Sequence, residues 1–184
     1  MNHVFDLHNE IKTNYELYIK SFINISDEKI KAKILSQTEL LKRLEFWRKL
    51  GDKIVFTNGC FDILHPGHIQ LLSSCKQFGD RLIVGLNSDA SVKRLKGPTR
   101  PVNDELSRAL ILAALHFTDA VCIFSENTPE KLIHYIKPDV LLKGGDWKKT
   151  DIVGASFVES YGGSVEVVPF LDGYSTTAII ERSK

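Results

Sequence analysis

The chain has 184 residues, 43% apolar and 26% charged, and its 24 Lys+Arg nearly balance 23 Asp+Glu. That length buries a real core, and the balance argues against disorder and against general nucleic-acid affinity, so any charge argument must be local. The three cysteines, Cys60, Cys75 and Cys122, form neither a CxxC pair nor a disulfide framework, and suit a reducing cytoplasm. The first residues carry charges throughout, unlike a signal peptide, and no apolar run approaches a membrane span, so neither export nor membrane insertion is expected.

Residues 1–50 contain no Pro and no Gly, and "SDEKIKAKILSQTELLKRLEFWRKLG" offers Ser26 as a helix cap ahead of apolar residues at helical spacing. We expect a helical extension over 1–50 and a catalytic domain over 51–184. From residue 53 the texture changes. "KIVFTN" reads as a buried strand, "GHIQLLSSCKQFG" as a helix closed by Gly79, and "DRLIVGLN" as a second strand. "DELSRALILAALHF" has helical spacing, "DAVCIF" reads as a strand, and "TPEKLIHYI" as a helix opened by Thr128 and Pro129. "PDVLLKG" and "SVEVVPF" follow as strands, and a short helix begins near "STTAIIERS". The alternation predicts an α/β fold, a Rossmann-like doubly wound parallel sheet after the helical extension. Ligands in such folds bind beyond the carboxyl ends of the strands, so chemistry belongs in the loops there.

The first such loop is "TNGCFDILHPGH", Thr57 to His68. Gly59 allows a close backbone approach, and Gly67 removes a side chain at a helix start, where free N–H groups and the macrodipole favour an anion. Two imidazoles flanking Pro66-Gly67 can donate to phosphoryl oxygens and accept charge in a transition state, whereas metal binding lacks a third ligand. "SVKRLKGPTR" adds Lys93, Arg94, Lys96 and Arg100 with no acid, which reads as a basic loop for a polyanion. In "KGGDW" the pair Gly144-Gly145 permits a backbone anion nest, although a plain turn fits equally. Ser175, Thr176 and Thr177 precede an apolar helical pattern, as an N-cap, a phosphate site or both.

"FTNGCFDILHPGH", "NSDASVKRLKGPTRPVN", "LLKGGDW" and "DGYSTTAII", in that order, resemble the HxGH nucleotidyltransferases, which include the cytidylyltransferases. The resemblance is closest to the heptose 1-phosphate adenylyltransferases that often form the C-terminal domain of bifunctional ADP-heptose synthases, and it runs from about residue 34 to the end. It implies transfer of AMP from ATP to a sugar 1-phosphate, giving an ADP-sugar and pyrophosphate, with Mg²⁺ carried by the triphosphate and no protein metal site. It implies catalytic roles for His65 and His68 and for Lys93 or Lys96. It also implies nucleotide contacts from Thr57, Asn58, Gly59, Cys60, Phe61, Gly67, Lys143, Gly144, Gly145, Asp146, Ser175, Thr176 and Thr177, and sugar-phosphate contacts from Arg100 or Arg108. Cys60 lacks a paired base and is not expected to be a nucleophile, and Asp62 is expected to orient the loop. The remaining histidines, His3, His8, His116 and His134, read as structural. Expected partners are small molecules, a second copy of the chain or more, and a sugar kinase carried on another chain. A cytidylyltransferase acting on glycerol 3-phosphate, an FAD-synthetase-like adenylyltransferase and a nucleotide-binding regulator without turnover are the alternatives. Leu171-Asp172 differs from the Arg-Thr-Glu of glycerol 3-phosphate cytidylyltransferases, and Tyr174 stands where a smaller residue is usual.

Overall fold

The computed structural model describes residues 28–169, 171 and 173–182. The expected cap Ser26 and the histidines at positions 3 and 8 lie outside the described residues, as does Asp172. Strands β1 (Ile54–Gly59), β2 (Arg81–Asn87), β3 (Ala120–Phe124), β4 (Val140–Gly144) and β5 (Ser164–Val168) form one parallel sheet in the order β3-β2-β1-β4-β5. Each strand is an apolar run because both of its faces are covered. Ile54, Phe56, Ile83 and Leu141 face α2 (Gln37–Lys49), α6 (Glu130–Ile136) and α7 (Ala155–Ser160). Their neighbours Val55, Leu82, Val84, Val140 and Leu142 face α3 (Pro66–Cys75) and α5 (Glu105–Ala114). Alternating side chains thus divide one sheet between two cores.

The described residues before Gly51 divide between the two cores, Ile30 and Ile34 packing in the second and Leu35, Leu40, Leu44 and Trp47 in the first. After α1 (Glu28–Lys31), Ile34 bridges Val121 in parallel and Leu35 donates its N–H to Val121 O at 2.9 Å, adding a rung to the outer edge of β3. A capping box then starts α2: Ser36 Oγ accepts from the N–H of Glu39 at 3.3 Å, and the Glu39 carboxylate accepts from the N–H of Ser36 at 2.9 Å. Leu40, Leu44 and Trp47, one stripe of that helix, are buried at 0%, 1% and 3% exposure beneath β1, β2 and β3. No packing boundary therefore coincides with residue 50.

Two elements depart from the sequence reading. The basic segment is not a loop: α4 (Asp89–Lys96), capped by Ser88, contains Lys93, Arg94 and Lys96 in its last turn, and the irregular stretch is Gly97 to Asp104. Helix α7 and the 3₁₀ turn Lys149–Asp151 before it were not anticipated, because six residues, "ASFVES", are too few to display a helical period. The chain closes with α8 (Thr176–Arg182). Since the path leaves β1 for β2 and β3 and then crosses to β4 on its other side, the switch point lies between the carboxyl ends of β1 and β4.

Candidate active site

The turn after β1 is built to present imidazoles. Phe61 adopts a left-handed φ of 43°, a conformation that costs a non-glycine residue about 1 kcal/mol or more. It turns the buried phenyl ring back under the loop, where it meets the His68 ring at 5.1 Å. The Asp62 carboxylate, 1% exposed, accepts from Arg100 Nε at 2.5 Å and from the N–H groups of Val102 and Asn103 at 2.7 and 3.1 Å. Asp62 thus ties the histidine loop to the loop before α5. Pro66 opens α3 with the φ that a first helical turn requires, and His65 occupies the cap position without spending its side chain as a cap.

The His65 ring lies over Gly67, where a Cβ would come within 3.2 Å of it, so any side chain there would push the ring by a few tenths of an ångström. His65 and His68 stack at 3.7 Å between centroids, inclined by 23°. Both Nδ1 atoms are buried without a hydrogen-bond partner, an arrangement that costs free energy unless a ligand supplies one. Burial, with the neighbouring His65 second, pushes the His68 pKa down to about 4, and burial lowers that of His65. The protein alone therefore holds two neutral imidazoles that an anion can charge. Thr57 Oγ1, fully buried at the end of β1, is likewise without a partner.

The basic residues separate into two groups. Lys96, at the end of α4, and Lys143, at the end of β4, both act electrostatically on Cys60 and on each other. Lys143 Nζ reaches Asn58 Oδ1 at 3.4 Å, and burial lowers its pKa. Neither lysine makes an ion pair among the described residues. Lys93 is exposed on the same turn as Lys96, and Arg94 is turned away, donating from Nε to Asn127 Oδ1 at 2.8 Å and to the carbonyl of Ser125.

The two arginines expected to hold the sugar phosphate are engaged elsewhere. Arg100 serves Asp62. Arg108 has a fully buried side chain and donates from Nε to Asn103 O (2.9 Å), from Nη1 to the carbonyls of Cys60 (2.6 Å) and Asn87 (2.8 Å), and from Nη2 to Asp89 (2.7 Å). It clamps the ends of β1 and β2 to α4 and α5 from below. Its partner Asp89 went unnoticed in the sequence, where a pair 19 residues apart leaves no local signal.

The later blocks converge on the same loop. Gly145 takes a φ of 122°, yet its N–H is donated to Val168 O at 2.9 Å, so the expected nest is not formed by that amide. Gly144 is the last residue of β4 and packs against Leu71 of α3, while Asp146 and Trp147 are exposed beyond it. Ser175 caps α8, its Oγ accepting from the N–H of Ala178 at 3.1 Å, and Thr176 Oγ1 donates to Ile63 O at 3.4 Å. Tyr174 comes against Gly67, and Thr177 faces solvent. The start of α8 thus stands beside the histidines at one end of the loop, and Lys96 and Lys143 stand at the other, near Cys60. Burial raises the Cys60 thiol pKa with Lys96 the leading opposing influence, which leaves it protonated and a poor nucleophile. His134 stacks on Phe157 at 3.7 Å and His116 meets Phe117 edge-on, both remote from these groups in the fold.

The chain is similar to known proteins. Proteins described as bifunctional protein HldE match at 51% identity over 166 residues in Hyphomonas neptunium and 54% over 166 residues in Campylobacter jejuni, covering 90% of this chain and 34% of each of those. The protein of Koribacter versatilis is 52% identical over 151 residues, 82% of this chain and 31% of its own. The chain therefore spans about a third of the length of these relatives. A crystal structure described as the lipopolysaccharide core biosynthesis protein from Thermoplasma volcanium superposes with a TM-score of 0.55 at 31% identity, over 68% of this chain and 100% of that one. The family model for cytidylyltransferase-like proteins matches residues 56–182, from within β1 through α8, and the chain belongs to that family.

Proposed function

We propose that this nucleotidyltransferase moves the adenylyl group of ATP onto a heptose 1-phosphate, releasing pyrophosphate and forming an ADP-heptose. The observation that supports this most is the stacked His65–His68 pair at the start of α3, each Nδ1 without a hydrogen-bond partner, with two lysines that have no acid partner among the described residues near Cys60 at the other end of the same loop. The similarity to the HldE proteins supports the choice of acceptor.

An oxygen of the sugar phosphate bonds to the α-phosphorus while the bond to the α,β-bridging oxygen breaks and pyrophosphate leaves from the opposite side. The acceptor is already ionised, so no base and no covalent enzyme intermediate is needed. Catalysis is then positioning together with stabilisation of charge on the α-phosphoryl oxygens. His68 contacts that phosphate and gains basicity from it, with His65 stacked behind. Lys96 rather than Lys93 adds the charge. Ser175, Thr176 and Thr177 hold the departing pyrophosphate at the start of α8. Mg²⁺ arrives as part of the nucleotide substrate: near the loop, Asp62 and Asp89 already serve arginines, and the phosphates themselves are suitable oxygen ligands. The same reading has a sugar kinase activity supplying the sugar 1-phosphate, and a homo-oligomer working in the cytoplasm. Among the described residues no helix is long and apolar enough to cross a membrane.

Pyrophosphate release with ATP and with CTP, across heptose 1-phosphate, glycerol 3-phosphate and FMN, tests the proposal. ATP with heptose 1-phosphate is expected to give the highest kcat/KM, and preference for any other pairing overturns it. His68→Ala is expected to lose about 10³-fold in kcat with its fold retained; near-normal turnover would remove His68 from the mechanism.

A further inference from the structure

We propose that Lys143 binds the phosphate of the acceptor, forming with Lys96 an anion subsite at the switch point between β1 and β4, on the side of the histidines away from the pyrophosphate. This rests on the adenylyl-transfer reading above and gives Lys143 a different partner from the nucleotide expected from sequence.

In-line displacement places attacker and leaving group on opposite sides of the α-phosphorus. One end of the loop is occupied by α8, through Thr176 on Ile63 and Tyr174 against Gly67. The other end, at Cys60, has Lys96 and Lys143. Strand parity separates these ends further. Lys143 follows Leu141 and Asn58 follows Phe56, on the sheet face covered by α2, α6 and α7, whereas α3 packs on the opposite face. An attacking group at Lys143 therefore approaches the histidines across the end of the sheet.

Lys143 is also an uneconomical residue for stability. It is partly buried, its hydrogen bond to the neutral amide of Asn58 is long, its cationic neighbour is Lys96, and no carboxylate pairs with it among the described residues. The nearby acids are already engaged, Asp62 by Arg100 and Asp89 by Arg108. Cations held together without an acid are completed by a dianion, and a phosphate monoester is the chemical class that fits. A lysine, as a compact point charge, tolerates varied sugar orientations as long as the phosphate oxygen stays in place.

The test uses Lys143→Met and Lys143→Arg with inorganic phosphate titrated calorimetrically onto protein saturated with a non-hydrolysable ATP analogue, so that only the acceptor subsite is open. Lys143→Met is expected to weaken phosphate at least tenfold while the analogue's affinity changes less than threefold. Lys143→Arg should recover part of the loss. The Tm of Lys143→Met should equal or exceed that of wild type, because an uncompensated buried cation is removed. Equal losses for phosphate and analogue, no phosphate binding to wild type in that state, or a lowered Tm would each overturn the assignment. Absence of wild-type turnover with heptose 1-phosphate would instead overturn the choice of acceptor, since the phosphate titration is read independently of turnover.

Discussion

Beneath the histidine loop the charges are cancelled, and above it they are not. Arg100 meets Asp62 and Arg108 meets Asp89 in part-buried pairs completed by backbone groups, whereas Lys96 and Lys143 have no acid partner among the described residues and the Nδ1 atoms of the two imidazoles have no hydrogen-bond partner. The difference teaches that basic residues in one small region divide by partner, not by type. Those with acids hold the loop in shape, and Lys96 and Lys143, which have none, are the ones we propose for the ligand.

The comparison is most severely tested at Arg108. Arg108→Met leaves Asp89 and the carbonyls of Cys60, Asn87 and Asn103 without donors, and should cost about 3 to 5 kcal/mol in urea unfolding. A loss of turnover without loss of stability would instead place Arg108 on the substrate.

The imidazoles should reveal their side through pH. A histidine whose folded pKa lies below its unfolded value binds fewer protons when folded, so stability is lost as pH falls from about 6.5 towards about 4. The loss attributable to His68 is on the order of 2 to 3 kcal/mol, and His65 acts in the same direction. Urea midpoints at pH 7 and 4.5 should therefore converge in His68→Asn relative to wild type.

Lys96→Met should show the smallest change in the folded state. Its stability is expected within about 0.5 kcal/mol of wild type, since the side chain is exposed, while kcat/KM falls by about 10- to 100-fold. A stability loss like that of Arg108→Met would erase the distinction between the two groups.

Much of the fold was legible because parallel strands covered on both faces read as apolar runs, and "KIVFTN", "DRLIVGLN", "DAVCIF" and "PDVLLKG" are such runs. The capping box at Ser36 also leaves a local signal, Ser followed three residues later by Glu39, in the same segment that offers Ser26 as a cap. The histidine pair could be read because Pro66 and Gly67 mark the strand-to-helix turn locally. The fate of each arginine could not, because Asp62 and Asp89 approach Arg100 and Arg108 only after the sheet has assembled. A spacing argument sees a basic run, whereas a three-dimensional one sees which charges are already spoken for.

The short rung that Ile34 and Leu35 add to β3 has a consequence for solubility. Without it, the N–H and C=O groups along one side of "AVCIF" would face outward on an apolar strand, a template for pairing with a neighbouring molecule. A protein trimmed to begin at Gly51 would lose that cover together with the Leu40, Leu44 and Trp47 stripe, and should associate edge to edge before its histidine loop is disturbed.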